Sequence, residues 1–346
     1  HGTPDIKLTR SDKTHFCWST HEGSVRTAVH RTGVWSTTLV DSVATSNATT
    51  LVDCAIAVTA NERPRVLFAD GGDLKMGRYA FESATYWDGP RWHTRTIMED
   101  AHPTHLELDI TPEGLEWGLM RTSSGALHQV NFSGAYWTEY LLDAGPVGEN
   151  FELAIDEDGV AHVLYSRTDT NDVVLLRVDG HDRDLRILLL DADLVDALGM
   201  DLDANNIEQV ATATQDVSSF SINLIRSLAG QDTGRVDPVP VAALIGENDA
   251  VEGRLVMGDL NHDGFDDLVI STPHASSNGL IENGRVDVHH GSASGVSATP
   301  DAVHHGSVSG AQFGSGIAVG DFNGDGTADL AIGSPGWAPS DDIDAR

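Results

Sequence analysis

An all-β chain is what this sequence predicts, on three observations. Helical periodicity is scarce, and its best window, "LLLDADLVDALGMDLD" at 188–203, has strand-like flanks. Short apolar alternations broken by Gly, Asp, Asn and Ser fill nearly all the rest. Strand-rich segments recur at intervals of about 45 to 62 residues. Four short strands per unit of that length is the arithmetic of a propeller blade. Seven units can be picked out, so the expected fold is a seven-bladed β-propeller whose last blade is incomplete.

The recurring strands are "HFCWST" (15–20), "PRVLFAD" (64–70), "LEWGLMR" (115–121), "AHVLYSR" (161–167), "EQVATAT" (208–214), "DLVISTP" (267–273) and "DLAIGSP" (329–335). One strand precedes each, as in "CAIAVTA", "HLELDIT" and "FELAIDE", and another follows a polar turn, as in "DLKMGRY" and "ALHQVNF". A fourth often carries tryptophan, as at Trp35, Trp92 and Trp137. These tryptophans are expected in the core or at blade edges, with sugar stacking the lesser reading. Blades stacked on one another bury the apolar faces that a lone sheet leaves wet. The chain changes character near 236–250. Residues 1–238 read as five generic four-stranded blades, and 239–346 as two longer, Gly-rich blades of the same single propeller.

Lys and Arg total 21 against 53 Asp and Glu, a formal charge of −32. Such a field repels phosphate backbones and anionic lipid heads, which argues against nucleic acid and against direct membrane insertion, and it attracts divalent cations. No run of 18 apolar residues is present. The opening at His1 reads as a processed product or a fragment. Cys17 and Cys54 both lie in strand-like segments, and the sequence leaves open a disulfide or two buried thiols. Asn47 and Asn131 begin triplets of the glycosylation type, a pattern that also arises by chance.

The sharpest signal is an acidic loop written twice. In "GDLNHDGFDDLVIS", Asp259, Asn261, Asp263, Phe265 and Asp267 stand at positions 1, 3, 5, 7 and 9, with Gly264 at 6. In "GDFNGDGTADLAIG", Asp321, Asn323, Asp325, Thr327 and Asp329 repeat the pattern 62 residues later. Alternate residues of a tight loop turn inward together, glycine permits the sharp bend, and position 7 offers its backbone carbonyl. Hard oxygens in that number suit Ca²⁺, so two calcium sites are expected. An EF-hand would need a glutamate at position 12, but Ile270 and Ile332 stand there and a strand begins at once. Asp267 and Asp329 are therefore expected to close the sites. "DEDG" at 156–159 and "DLDANN" at 201–206 lack the full set and read as hairpin turns.

"FGSGIAVGDFNGDGTADLAIGSP", from Phe313, resembles an FG-GAP repeat, the blade unit of integrin α-chain propellers and of many microbial surface proteins. The preceding repeat departs from the pattern, with Val251 and Glu252 where Phe-Gly is expected, and keeps the loop and "NGRVDVHHGS". The resemblance covers about 239–346 and implies a ring of blades with structural calcium in hairpin loops.

Sixteen histidines raise a zinc reading, in which one residue from His289–His290 meets one from His304–His305 across a hairpin. Packing or surface histidines are the plainer account, since adjacent strand residues face opposite ways. No nucleophile motif or phosphate-cradling loop is present. The last unit shows two strands where its predecessor has four. This predicts a parent chain continuing past Arg346, or a partner completing the blade. The expected function is a secreted or cell-surface recognition or adhesion module for a protein or glycan. A secreted carbohydrate-active enzyme and a subunit of a surface filament or layer are the alternatives.

Overall fold

The computed structural model describes residues 5–8, 13–20, 24–31, 34–42, 53–80, 91–180, 182–189, 194–202, 208–215, 220–226, 239–241, 254–292, 296–297, 299–321 and 327–337. Among them every regular element is a strand, including both halves of the 188–203 window. The strands form six four-stranded sheets and one two-stranded sheet, and in each the neighbours follow chain order.

The first sheet is β1 (Asp5–Leu8), β2 (Thr14–Ser19), β3 (Ser24–Arg31) and β4 (Val34–Ser42). The second is β5 (Cys54–Val58), β6 (Pro64–Asp70), β7 (Asp73–Ala80) and β8 (Arg91–Met98). The third is β9 (Pro103–Ile110), β10 (Glu116–Thr122), β11 (Leu127–Phe132) and β12 (Trp137–Asp143). The fourth is β13 (Val147–Ile155), β14 (Ala161–Arg167), β15 (Val173–Asp179) and β16 (Asp182–Leu189). The fifth is β17 (Leu194–Leu202), β18 (Glu208–Gln215), β19 (Phe220–Arg226) and β20 (Val239–Val241). The sixth is β21 (Leu255–Gly258), β22 (Asp267–Thr272), β23 (Arg285–His289) and β24 (Ala302–His305). The seventh has β25 (Gly316–Gly320) and β26 (Asp329–Gly333).

Two compact units divide the chain. One holds His1–Glu149 with Ile155–Ala161, and the other Asn150–Ala154 with His162–Arg346. In the first unit, Cys17, Val25 and Val40 of the first sheet meet Ile56, Val66 and Phe68 of the second. Ala55, Leu67, Leu74 and Met76 meet Leu106, Leu108, Met120 and Val130 of the third. Full burial of such side chains contributes about 1.5–3 kcal/mol each. Cys17 and Cys54 are joined by a disulfide between the first two sheets, with Cα atoms 6.4 Å apart. The first strands are also linked by carboxylates. Asp5 accepts the Ile56 N–H at 2.7 Å, Asp53 that of Leu106 at 3.0 Å, and Asp109 that of Ile155 at 3.2 Å. Each link satisfies a backbone donor that the sheet's own ladder leaves over.

In the second unit, Leu164 and Val173 of the fourth sheet pack on Leu198 and Val210 of the fifth. Val269, Val286 and Val288 of the sixth pack on Ile317 of the seventh. Gly199 in β17 lies so close to β21 that a Cβ there would be 2.4 Å from the Leu255 carbonyl oxygen. Burial also settles the tryptophans. Trp92 and Trp137 pack against the cores of the first unit, whereas Trp35 is 51% exposed and tilts against Phe16 and His30.

Candidate metal centre

The two acidic loops follow strands that pair alike at the loop mouth. Gly258 pairs with Asp267 at the mouth of the first, and Gly320 with Asp329 at the mouth of the second. In the first loop the short polar side chains fold back over their own backbone. Asp259 Oδ1 accepts the Asp263 N–H and its Oδ2 the Gly264 N–H, both at 2.9 Å. Asn261 Oδ1 accepts the Asp263 N–H as well, and Asp263 Oδ1 accepts that of Phe265, again at 2.9 Å. Such bonds are the turn chemistry of Asp and Asn. Gly264 takes φ 87°, the left-handed conformation that makes glycine the natural residue there. The Phe265 side chain stands out, 43% exposed.

Asp267 is different in kind. It is fully buried, its Oδ1 accepting the Gly291 N–H at 2.7 Å and its Oδ2 the Leu260 N–H at 3.0 Å. Burial pushes its carboxyl above the usual range, and the charge of Asp263 adds to this. The Gly291 and Leu260 donors and His290 oppose it. Asp321, Thr327 and Asp329 are half-buried at the corresponding places, while Asn323 and Asp325 lie outside the described residues.

Among the described residues no three His, Cys, Asp or Glu side chains converge as metal ligands do. The side-chain oxygens of the first loop accept hydrogen bonds from its own N–H groups. Their chemistry nonetheless fits a hard cation: carboxylate and amide oxygens crowd one tight turn, and each retains a further lone pair.

The histidine pairs do not meet. Register sets His305 opposite Arg285 and His304 opposite Val286, three to five residues along the chain from His289 and His290. His289 is fully buried, and its Nδ1 lies 2.9 Å from the Ser297 carbonyl oxygen, to which it donates. The zinc reading therefore fails on register. The turn at Asp156 is a plain hairpin, its Oδ1 accepting the N–H groups of Asp158 and Val160. Asn131 lies in β11, with its Oδ1 taken by the Thr138 hydroxyl at 2.6 Å, and Asn47 lies outside the described residues.

Sequence reasoning missed what Asp267 has in common with the earlier sheets. Glu116, Glu208 and Asp267 each open the second strand of a sheet, and they are 3%, 0% and 0% exposed. Glu116 receives Arg65 at 2.9 Å and Arg78 at 2.7 Å from the preceding sheet, and Arg78 also lies 4.3 Å over the Phe132 ring. Glu208 receives His162 Nδ1 at 2.7 Å and the paired Nε and Nη2 donors of the Arg177 guanidinium. Burial by itself would raise the Glu208 carboxyl, but hydrogen bonds from His162, Arg177 and the backbone outweigh it and hold it far below the usual range. The available signal was an acid at the head of the recurring strand.

Successive antiparallel meanders of this kind, stacked through their apolar faces, make this an all-β protein of the β-propeller class. Its C-terminal part carries FG-GAP repeats, matched at residues 253–289 and 313–342. Over 86 residues the chain is 37% identical to phosphatidylinositol-glycan-specific phospholipase D of Mus musculus, a match covering 23% of this chain and 10% of that protein. Over 87 residues it is 40% identical to integrin alpha-PS5 of Drosophila melanogaster, covering 23% of this chain and 8% of that one. The chain thus spans about a tenth of these relatives' length. Among solved structures it resembles the BP39L lectin of Burkholderia pseudomallei, with a TM-score of 0.61 at 13% identity over 96% of both chains. It also resembles the SapL1 lectin in complex with alpha methyl fucoside, with a TM-score of 0.54 at 12% identity, covering 89% of this chain and 97% of that one. At such identity the likeness concerns the fold. Among the described residues no helix is long and apolar enough to cross a membrane.

Proposed function

We propose that this chain is an extracellular or cell-surface propeller of seven blades, stabilised by calcium, that recognises a glycan or a protein. The observation that carries the reading is the twice-used loop, which closes two hairpins in the same register. Asp259, Asn261, Asp263, the Phe265 carbonyl and Asp267 would hold one ion. Asp321, Asn323, Asp325, Thr327 and Asp329 would hold the other. Bound calcium supplies positive charge to carboxylates that otherwise repel one another, and so fixes the hairpin ends. The Cys17–Cys54 disulfide supports an oxidising compartment. Rigid meanders that display their loops suit recognition, and the likeness in fold to lectins, one of them in complex with alpha methyl fucoside, supports a glycan as ligand.

The test has two arms. Melting is followed in chelator and then in calcium, where a rise is expected and unchanged melting would remove the calcium sites. The same protein is applied to arrays of glycans and of extracellular proteins. Binding to neither would remove the recognition role.

A further inference from the structure

The sixth and seventh sheets carry their acidic loops at one end. At the opposite end three connections meet: residues 273–284 between β22 and β23, 306–315 between β24 and β25, and 334–337 after β26. They are tied into one ledge. The Gly310 N–H donates to the Ile281 carbonyl at 2.8 Å, that of Gln312 to Glu282 at 3.2 Å, and that of Phe313 to Asn283 at 3.2 Å. The Gly336 N–H and the Ser334 hydroxyl both donate to the Ala311 carbonyl, at 3.1 and 2.9 Å. Asn283, fully buried, pins the first loop through Ser277 and the Gly306 carbonyl. Gly336 approaches Gly310 so closely that a Cβ would stand 1.8 Å from the Gly310 oxygen. Asn278, Glu282 and Gln312 hold φ of 54°, 48° and 50°. Non-glycine backbone held this way gathers at binding sites.

What this rigid backbone displays is poor in charge and includes two large apolar side chains. Ile281 is 70% exposed and Trp337 53% exposed, and Gly310 meets the Ile281 carbonyl through its N–H and Gly336, the neighbour of Trp337, through its oxygen. In residues 273–283, 306–313 and 334–337 Glu282 is the one Asp, Glu, Lys or Arg, in a chain with 53 acids. Two exposed serines are oriented as well. The Ser309 oxygen accepts the Ile281 N–H at 3.2 Å, and the Ser276 oxygen accepts that of Glu282 at 2.9 Å. Each hydroxyl thereby has its oxygen engaged and still carries a proton to donate.

From this juxtaposition we infer that the ledge is a binding site for a neutral saccharide, the indole face of Trp337 and the side chain of Ile281 meeting its C–H faces while Ser276 and Ser309 donate to its oxygens. This rests on the recognition reading above and names the site and ligand class for it. A neutral ligand is favoured because an anion is repelled by the molecule's field and a cation finds just Glu282 among the described residues of the ledge. A preorganised surface also loses little freedom on binding.

The experiment uses the whole 346-residue chain on an array of uncharged oligosaccharides, followed by titration with the best-bound sugar. Trp337→Ala is expected to weaken binding about tenfold, as loss of a ring contact predicts. Ile281→Ser should weaken it several-fold, and Trp35→Ala should leave it unchanged, with melting preserved in all three. Undiminished binding by Trp337→Ala overturns the ledge and leaves the recognition reading standing. A wild type that binds no uncharged sugar overturns the saccharide class, as does a protein ligand lost on Trp337→Ala. A wild type that binds neither sugars nor proteins overturns the recognition reading itself.

Discussion

Glu208 shows how much one side chain can carry here. It is fully buried and meets the imidazole of His162 and the fork of Arg177, so its charge is compensated from two strands of the neighbouring sheet. Replacement by Gln leaves the Arg177 charge half-buried without its partner. The expected loss is about 3 kcal/mol in denaturant unfolding, in the range for breaking a buried pair. Because its folded carboxyl is held low, the stabilisation is complete above the ordinary value of 4.5 and drains away as pH falls through the depressed one. The gap between wild type and Glu208→Gln should therefore narrow on acidification below pH 4.5, and a gap independent of pH would contradict the assignment. Asp267 has the opposite sign. Its raised carboxyl disfavours the charged fold as pH rises, and that is the kind of residue a cation would relieve.

At the scale of elements, the strands were legible because alternation and turn residues are local signals. The recurring second strands "PRVLFAD", "AHVLYSR" and "DLVISTP" emerge as β6, β14 and β22 within a residue or so. Register was not legible. It parted the two histidine pairs, because pairing in β23 and β24 is set by the whole hairpin and not by the residues one would like to bring together. Close approach was equally hidden. Gly199 reads as an ordinary strand glycine, yet it lets β17 lie against the β21 backbone. Gly199→Val should destabilise by about 1–3 kcal/mol through overpacking. A variant as stable as wild type in urea unfolding would show that the two strands can separate.

For the molecule as a whole, the seven-unit periodicity carried the fold class, and the structure gives six four-stranded meanders and a two-stranded one among the described residues. The Cys17–Cys54 bridge spans 37 residues and joins the first two sheets. Replacing both cysteines by serine should cost about 2–4 kcal/mol, read as a lower melting temperature, while leaving the proposed effect of calcium intact. Calcium at a hundred times its dissociation constant should add about 2.7 kcal/mol per site, and Asp259→Asn with Asp263→Asn should remove one site's share. Composition, alternation and the spacing of the acidic loops by themselves determined an all-β propeller and its candidate metal ligands, since each is written in neighbouring residues. Only the tertiary structure decided which charges pair between sheets, that Cys17 meets Cys54, that Asp267 is buried, and that Ile281 and Trp337 share one ledge. Those outcomes depend on distances between segments far apart in the chain, and burial and backbone approach exist only once the sheets have packed.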